Sequence, residues 1–301
     1  MKLLKVRYMC KSNKINQFTY VNSYFVAGQA MEQLWSHFEQ FHLSENMRLS
    51  SSGQDQKDFA TYLLSVGDGK VTDALPNELP MAAETKIPLR EELRSTSEST
   101  QEFCKEIFPN LGSIVLNGEQ SGDKDWYQYL MERAIICPTN KEVDTINNIM
   151  IDNFPGEVRG YRSYDKLLEE SQAHSHSFPV EYLNTVNVNG VPAHYIKLKK
   201  GAPIMLLRNL DPARGHVNGT RYIIRSLHRH VIYAEIAVGP YKGNDIMIPR
   251  ILFHPKDRSL PISMERRQFP VRLCFSVTSN KSQGQTLKHV GIYLKQVCSL
   301  K

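Results

Sequence analysis

The chain has 301 residues, 41% of them hydrophobic and 23% charged, enough to bury a core as one large or two modest domains. No apolar run approaches the roughly 18 residues of a membrane span. The five cysteines (Cys10, Cys104, Cys137, Cys274, Cys298) are scattered and never in Cys-x-x-Cys spacing, which disfavours a zinc site or disulfide framework and suits a reducing compartment. The net charge of +6 is unevenly spread: residues 1–193 carry 18 Lys and Arg against 26 Asp and Glu, giving −8, whereas residues 194–301 carry 19 against 5, giving +14. So basic a half is the electrostatic footprint of a phosphate-backbone partner. A membrane surface would suit it too, but no amphipathic basic helix is visible there.

Taken in chain order, Met1 to Cys10 is basic but lacks the apolar core and cleavage site of a secretory signal. A mitochondrial transit segment is an alternative, and residues 1–28 read better as a divergent or wrongly assigned start. Met31, Leu34, Trp35, Phe38 and Phe41 recur at helical spacing, as do Phe59, Tyr62, Leu63 and Val66 in a second helix ended by Gly67 and Gly69. Residues 70–100 read as loop, with a helix over about 98–107. Arg133–Cys137 is a short buried strand, and Pro138-Thr139-Asn140 turns into an amphipathic helix through Val143, Ile146, Ile149 and Met150. Strand, turn and helix in that order make a βα unit.

Residues 155–195 show no clear periodicity and read as a long connection. The pattern then changes to strands at Pro203–Leu207, Arg221–Leu227, Val231–Val238 and Asp245–Leu252, whose spacing predicts a small antiparallel barrel. Val271–Val277 is a buried-type strand running into the polar turn Thr278-Ser-Asn-Lys-Ser-Gln-Gly-Gln285, and a further strand follows at Val290–Leu294. Hydroxyls, amides, Lys281 and Gly284 at a strand end form a surface for phosphate oxygens; an ordinary polar turn is the alternative. His174-Ser-His176 and His228-Arg-His230 lack acidic or cysteine partners, so no metal site is expected.

The turn Thr278-x-Asn-Lys-Ser-Gln-Gly-Gln-Thr286 resembles motif V of the PIF-type (petite integration frequency) superfamily 1 DNA helicases, in the variant associated with Helitron transposons. Three further blocks follow the family's order: Leu43-Ser-Glu-Asn-Met-Arg48 with Phe59-Ala-x-x-Leu-Leu-x-x-Gly-Asp-Gly69, Arg133–Asn147, and Leu198–Pro212 with Val217-Asn-Gly-Thr-Arg221. Together they cover roughly residues 30 to 295. Ser279 stands where the family more often has Ile, and position 280 is often His or Asn. The phosphate loop G-x-x-x-x-G-K-[ST] and the acid that holds Mg²⁺ do not occur. At the nearest decoy, Gly67-Asp-Gly-Lys-Val71, Leu64 replaces the first glycine and Val71 the metal-binding hydroxyl.

The resemblance therefore implies the second motor half of such a helicase, cut at both ends. Its implied fold is α/β: a RecA-like motor domain with an inserted SH3-like β-barrel. The domains would be a divergent start at 1–28, motor domain at 29–195, barrel at 196–268, and a return to the motor fold at 269–301. The implied activity is ATP-dependent 5′-to-3′ DNA unwinding in the nucleus, serving host repair, recombination and telomere maintenance or transposition. ATP and Mg²⁺ are the family's cofactors, neither expected to bind well to this chain alone. Single-stranded DNA and the other motor half are the expected partners. Arg48 resembles the arginine facing the nucleotide's γ-phosphate, or else makes a surface salt bridge. Thr139 and Asn140 are strand contacts or a helix cap, and Asn140 would cap well. Arg208 and Arg221 are assigned to DNA, as are Thr278, Asn280, Lys281 and Ser282, with Gln283 and Gly284 nearer the nucleotide. The alternative is a non-catalytic single-strand-binding module or a transposon remnant.

Overall fold

The computed structural model describes residues 5–10 as backbone, and 53–68, 90–168, 178–188, 190–255 and 263–294 in full. The chain divides into two compact units, Cys10–Glu92 with Leu294–Lys301, and Lys2–Met9 with Leu93–Tyr293. In the first, helix α1 (Gln54–Gly67) contains the apolar-periodic stretch read over 59–66. The Asp68 N–H closes it on the Leu64 and Val66 carbonyls. None of its residues is buried; the Arg90 guanidinium lies 4.4 Å over the Tyr62 ring. The helix read over 30–41 lies outside the described residues.

The second unit opens with strand β1 (Lys5–Cys10), then α2 (Thr100–Ile107), α3 (Leu111–Ser121), α4 (Asp125–Met131), β2 (Arg133–Cys137) and α5 (Asn140–Asn153). The start of α2 is set by a capping box: Ser99 Oγ accepts the Glu102 N–H, and the Glu102 carboxylate accepts the Ser99 N–H, both at 3.2 Å. Phe103, Cys104 and Ile107 then face the core, while α5 buries Val143, Ile146, Met150 and Ile151. Helices α3 and α4 escape a periodicity reading because α3 starts at a left-handed Asn110 and stops at a left-handed Gly122, leaving three short turns of mixed composition.

Further along come β3 (Arg159–Arg162), β4 (Tyr164–Leu167), α6 (Val180–Thr185) and β5 (Tyr195–Leu198), so the stretch 155–195 read as a long connection carries two short strands and a helix and ends where β5 begins. They were hidden because each is four to six residues long and half of its positions are polar. The antiparallel half comprises β6 (Pro203–Leu206), β7 (Arg221–Leu227), β8 (Val231–Ile236), β9 (Asp245–Pro249), β10 (Ile251–Phe253), β11 (Met264–Gln268) and β12 (Val271–Leu273). The chain then returns through β13 (Ser276–Thr278), the single turn α7 (Ser279–Ser282) and β14 (His289–Leu294).

A four-stranded sheet of order β1-β14-β2-β13 forms the α/β part, with β2 parallel to both β13 and β14. Helices α2, α4 and α5 pack on β2. Gly291, in β14, is what lets α2 approach: a Cβ there would fall 2.7 Å from Ile107 and 2.8 Å from Phe103. The expected β unit over 203–268 is antiparallel, but no closed barrel exists among the described residues. Its strands form an open sheet of order β12-β6-β7-β8-β9. Pro249 ends β9 at that sheet's edge, where a missing N–H is tolerated. After Arg250 the chain leaves to pair as β10 in a separate sheet, β10-β11-β4.

The run 271–277 is two strands rather than one. Val271–Leu273 pairs antiparallel with β6, and Ser276–Thr278 pairs parallel with β2. Cys274 and Phe275, both fully buried, span the step between sheets, their backbones bonded to Pro203 and Ile135 respectively. Cys137 and Cys274 are core residues, as their apolar neighbours imply, and burial pushes the Cys137 thiol up to about 12.

Candidate nucleic-acid interface

Parallel β2 and β13 carry the two main motifs to one end of the sheet. Thr278 pairs with Cys137, so Thr278 and the Pro138-Thr139 segment both stand at the strands' C-terminal ends. That end is where ligands gather in open α/β sheets. Thr139 is the cap of α5: its Oγ1 accepts the Glu142 N–H at 3.3 Å and donates to the Glu142 carboxylate at 3.0 Å. The cap is thus Thr139 and not Asn140, whose Oδ1 and carbonyl instead accept from Arg272 at 2.6 and 3.0 Å. Arg272 also pairs with Asp144, tying β12 to the first turn of α5.

Beyond Thr278, the turn α7 exposes Asn280 and Lys281, with Ser282 Oγ folded back onto the Ser279 carbonyl at 2.7 Å. Gln283 and Gly284 are exposed after it, and Gly284 takes a φ of 78°, open to glycine without strain. Lys281 Nζ donates to Asn218 Oδ1 at 2.8 Å, and the Asn218 N–H donates to Asn209 Oδ1 at 2.7 Å. The motif V turn and the 208–221 loop, 63 residues apart at this contact, are thereby joined into one polar surface. The loop itself is closed by the Gly219 N–H to Leu206 carbonyl bond and by Thr220 Oγ1 donating to the Gly215 carbonyl.

The two loop arginines part company. Arg208 is exposed, its guanidinium 5.4 Å over the Phe253 ring. Arg221 is only 5% exposed, and its guanidinium donates to the carbonyls of Leu130, Met131, Arg133 and Cys274 and to the Cys274 thiol. That corrects its assignment as a strand contact: its donors are spent inside the protein, holding β7 against α4 and the β12–β13 step. Arg48 lies outside the described residues.

Asn147 was not singled out by sequence, although a polar residue on the apolar stripe of α5 is a signal. It is 3% exposed and braces the step that launches the motif V strand. Its amide donates to the carbonyls of Leu273 and Ser276 at 3.0 and 3.2 Å, and its Oδ1 accepts the Ser276 N–H at 2.9 Å. A cavity of about 590 Å³ adjoins the turn, lined on one side by Gly284 and Thr286 and on the other by Gly219, Thr220 and Tyr241. Among the described residues no group of three His, Cys, Asp or Glu could hold a metal ion.

Threonine, asparagine and lysine side chains thus gather where the parallel strands end, beside the basic antiparallel half. A family model described as "DNA helicase Pif1, 2B domain" matches residues 181–227, the stretch from α6 through β7. The chain is 28% identical over 163 residues to the ATP-dependent DNA helicase PIF1 of Xenopus laevis, covering 54% of this chain and 23% of that protein. It is 30% identical over 116 residues to Pif1 of Bdellovibrio bacteriovorus, covering 38% and 25%. Unliganded Pif1 from Bacteroides sp aligns with 25% identity and a TM-score of 0.37, over 54% of this chain and 46% of that one. The chain is thus similar to Pif1 DNA helicases over part of its length, and it spans about a quarter of the length of the curated relatives it matches.

Proposed function

We propose that the chain supplies the single-stranded DNA face of a Pif1-type, 5′-to-3′ DNA helicase, as the second, RecA-like motor half acting in the nucleus. In this reading residues 29–195 and 269–301 form the motor fold and 196–268 its insert. Thr139, Asn140, Thr278, Asn280, Lys281, Ser282 and Arg208 face the strand, and Gln283 and Gly284 lie toward the nucleotide. ATP and Mg²⁺ bind with a partner motor half that carries the phosphate loop. The observation that carries the reading is the Lys281–Asn218 bond, which unites the two motif loops on one surface at the ends of parallel strands. The +14 balance of residues 194–301 supports it.

Anisotropy titration of single-stranded oligonucleotides at several salt concentrations tests it. Affinity should fall with a log–log slope of about −0.7 per phosphate contacted. Lys281→Ala should weaken all sequences alike and flatten that slope by up to about one unit, as a backbone contact does. Salt-independent binding, or a Lys281→Ala variant matching the parent, would leave the turn as only a turn.

A second reading, a non-catalytic single-strand-binding module, is favoured by the missing phosphate loop and metal acid. Both readings expect the purified chain to hydrolyse no ATP above background, with or without DNA, since positioning and charge neutralisation of the phosphates are absent. DNA-stimulated turnover abolished by a substitution within residues 1–301 would contradict both.

A further inference from the structure

The β10-β11-β4 sheet has two unlike faces. Inward, Asp165, Arg266 and Phe253 lie in register and are buried, with Met264 and Leu167 packed near Leu183 of α6. Outward, the next register row is Tyr164–Arg267–Leu252. Tyr164 is 66% exposed and Leu252 52%, so an aromatic ring and an aliphatic side chain flank an exposed arginine. Neither Arg267 nor the nearby exposed Arg162 has a hydrogen-bond or ion-pair partner for its guanidinium among the described residues. Among the described residues the ion pair on this face is Lys166–Glu265 at 3.0 Å, two residues along the strands, and it adds no net charge.

A third arginine concentrates the field. Arg250 Nη1 donates to the Arg162 carbonyl at 2.7 Å and to Gln268 Oε1 at 3.0 Å, and its guanidinium stacks 4.6 Å over the Phe269 ring. Burial, together with the like charge of Arg267, holds the Arg250 guanidinium below its ordinary value, against the opposing pull of Tyr161. Arg250 thus joins the Arg162 backbone to the neighbourhood of Arg267, and among the described residues no carboxylate pairs with Arg162 or Arg267. Exposed rings and aliphatic side chains set among unpaired cations suit a ligand that offers flat apolar faces and anions in alternation. Single-stranded nucleic acid does so, whereas a duplex hides its base faces inside the stack.

We propose that this outer face is a second contact for single-stranded nucleic acid, separate from the motif V turn. Tyr164 and Leu252 receive bases, and Arg162 and Arg267 contact phosphates. The inference rests on the single-strand reading above but invokes none of its residues.

A 4-thiothymidine-substituted oligonucleotide, photocrosslinked to the full chain and mapped by mass spectrometry, should label the tryptic peptide Ser163–Lys166. Tyr164→Ser should weaken binding about fivefold or more, by the loss of one base stack. Tyr164→Phe, which keeps the ring, should bind like the parent. Arg267→Ala should flatten the salt slope by about 0.7. Both altered side chains are exposed, and an unchanged circular dichroism melt verifies folding. If Lys281→Ala weakens binding while Tyr164→Ser and Arg267→Ala match the parent and crosslinks fall elsewhere, this inference alone fails. If the parent binds no single strand, the proposed function fails with it. Equal competition by polyglutamate and oligonucleotide at this face would overturn it in favour of an acidic peptide.

Discussion

Replacing Arg266 with alanine is expected to cost about 3–5 kcal/mol of stability, because it strands a buried carboxylate. Arg266 is 1% exposed, and its Nε and Nη2 grip both oxygens of Asp165 at 2.8–3.1 Å. Its remaining donors go to the carbonyls of Leu183, Val186 and Pro192. One guanidinium thereby fastens β11 to β4, to α6 and to the segment after it. Asp165 has other partners, Ser163 Oγ at 2.6 Å and the His194 ring at 3.6 Å, but neither replaces the lost charge fully. Urea unfolding of the parent, Arg266→Ala and Arg266→Met/Asp165→Leu decides the matter. The double variant should lose less than the single one, since removing both ions removes the unpaired charge and leaves only three carbonyls short of donors. A loss below about 1 kcal/mol for Arg266→Ala would show that water enters and solvates Asp165.

What the sequence reveals and conceals follows from the kind of information each feature carries. The β2–α5 unit is legible because Val143, Ile146 and Met150 repeat at helical spacing directly after a short apolar strand. The antiparallel strands over 203–252 are legible from alternation and turn residues, yet closure is not. Whether an edge strand finds the opposite edge depends on register, which alternation does not encode. The run 271–277 reads as one strand because every residue but Arg272 is buried, and a continuous apolar run carries no mark of a change of sheet. Arg221 misled for a related reason. A charged residue after Asn-Gly-Thr is ordinarily exposed, and the carbonyls that bury it come from residues 130–133 and 274, remote in sequence. The 278–285 turn stands out by its hydroxyls, amides and Lys281 and is read as motif V from its resemblance, but its coupling to the 208–221 loop appears only when Lys281 meets Asn218.

The position of the motif V turn hangs on a buried asparagine, which gives the second large expected effect. Asn147→Ala should cost about 3 kcal/mol, because it removes the partner of two buried carbonyls and one buried N–H, each worth roughly 1–3 kcal/mol when left unmade. The loss is structural at its origin and functional in its reach. Asn147 holds Leu273 and Ser276 on either side of the step from β12 to β13, and Thr278 to Gly284 extends directly from β13. Single-strand affinity should therefore fall in this variant even at temperatures where the chain stays folded. Asn147→Asp separates geometry from bonding. It preserves shape and the acceptor for the Ser276 N–H, but turns a second acceptor toward the Leu273 and Ser276 carbonyls, so it should not rescue stability. Urea denaturation and anisotropy titration of both variants, run side by side, supply the comparison. An Asn147→Ala protein as stable as its parent, or one that is destabilised yet binds a single strand undiminished while folded, would show that the turn keeps its place without this brace.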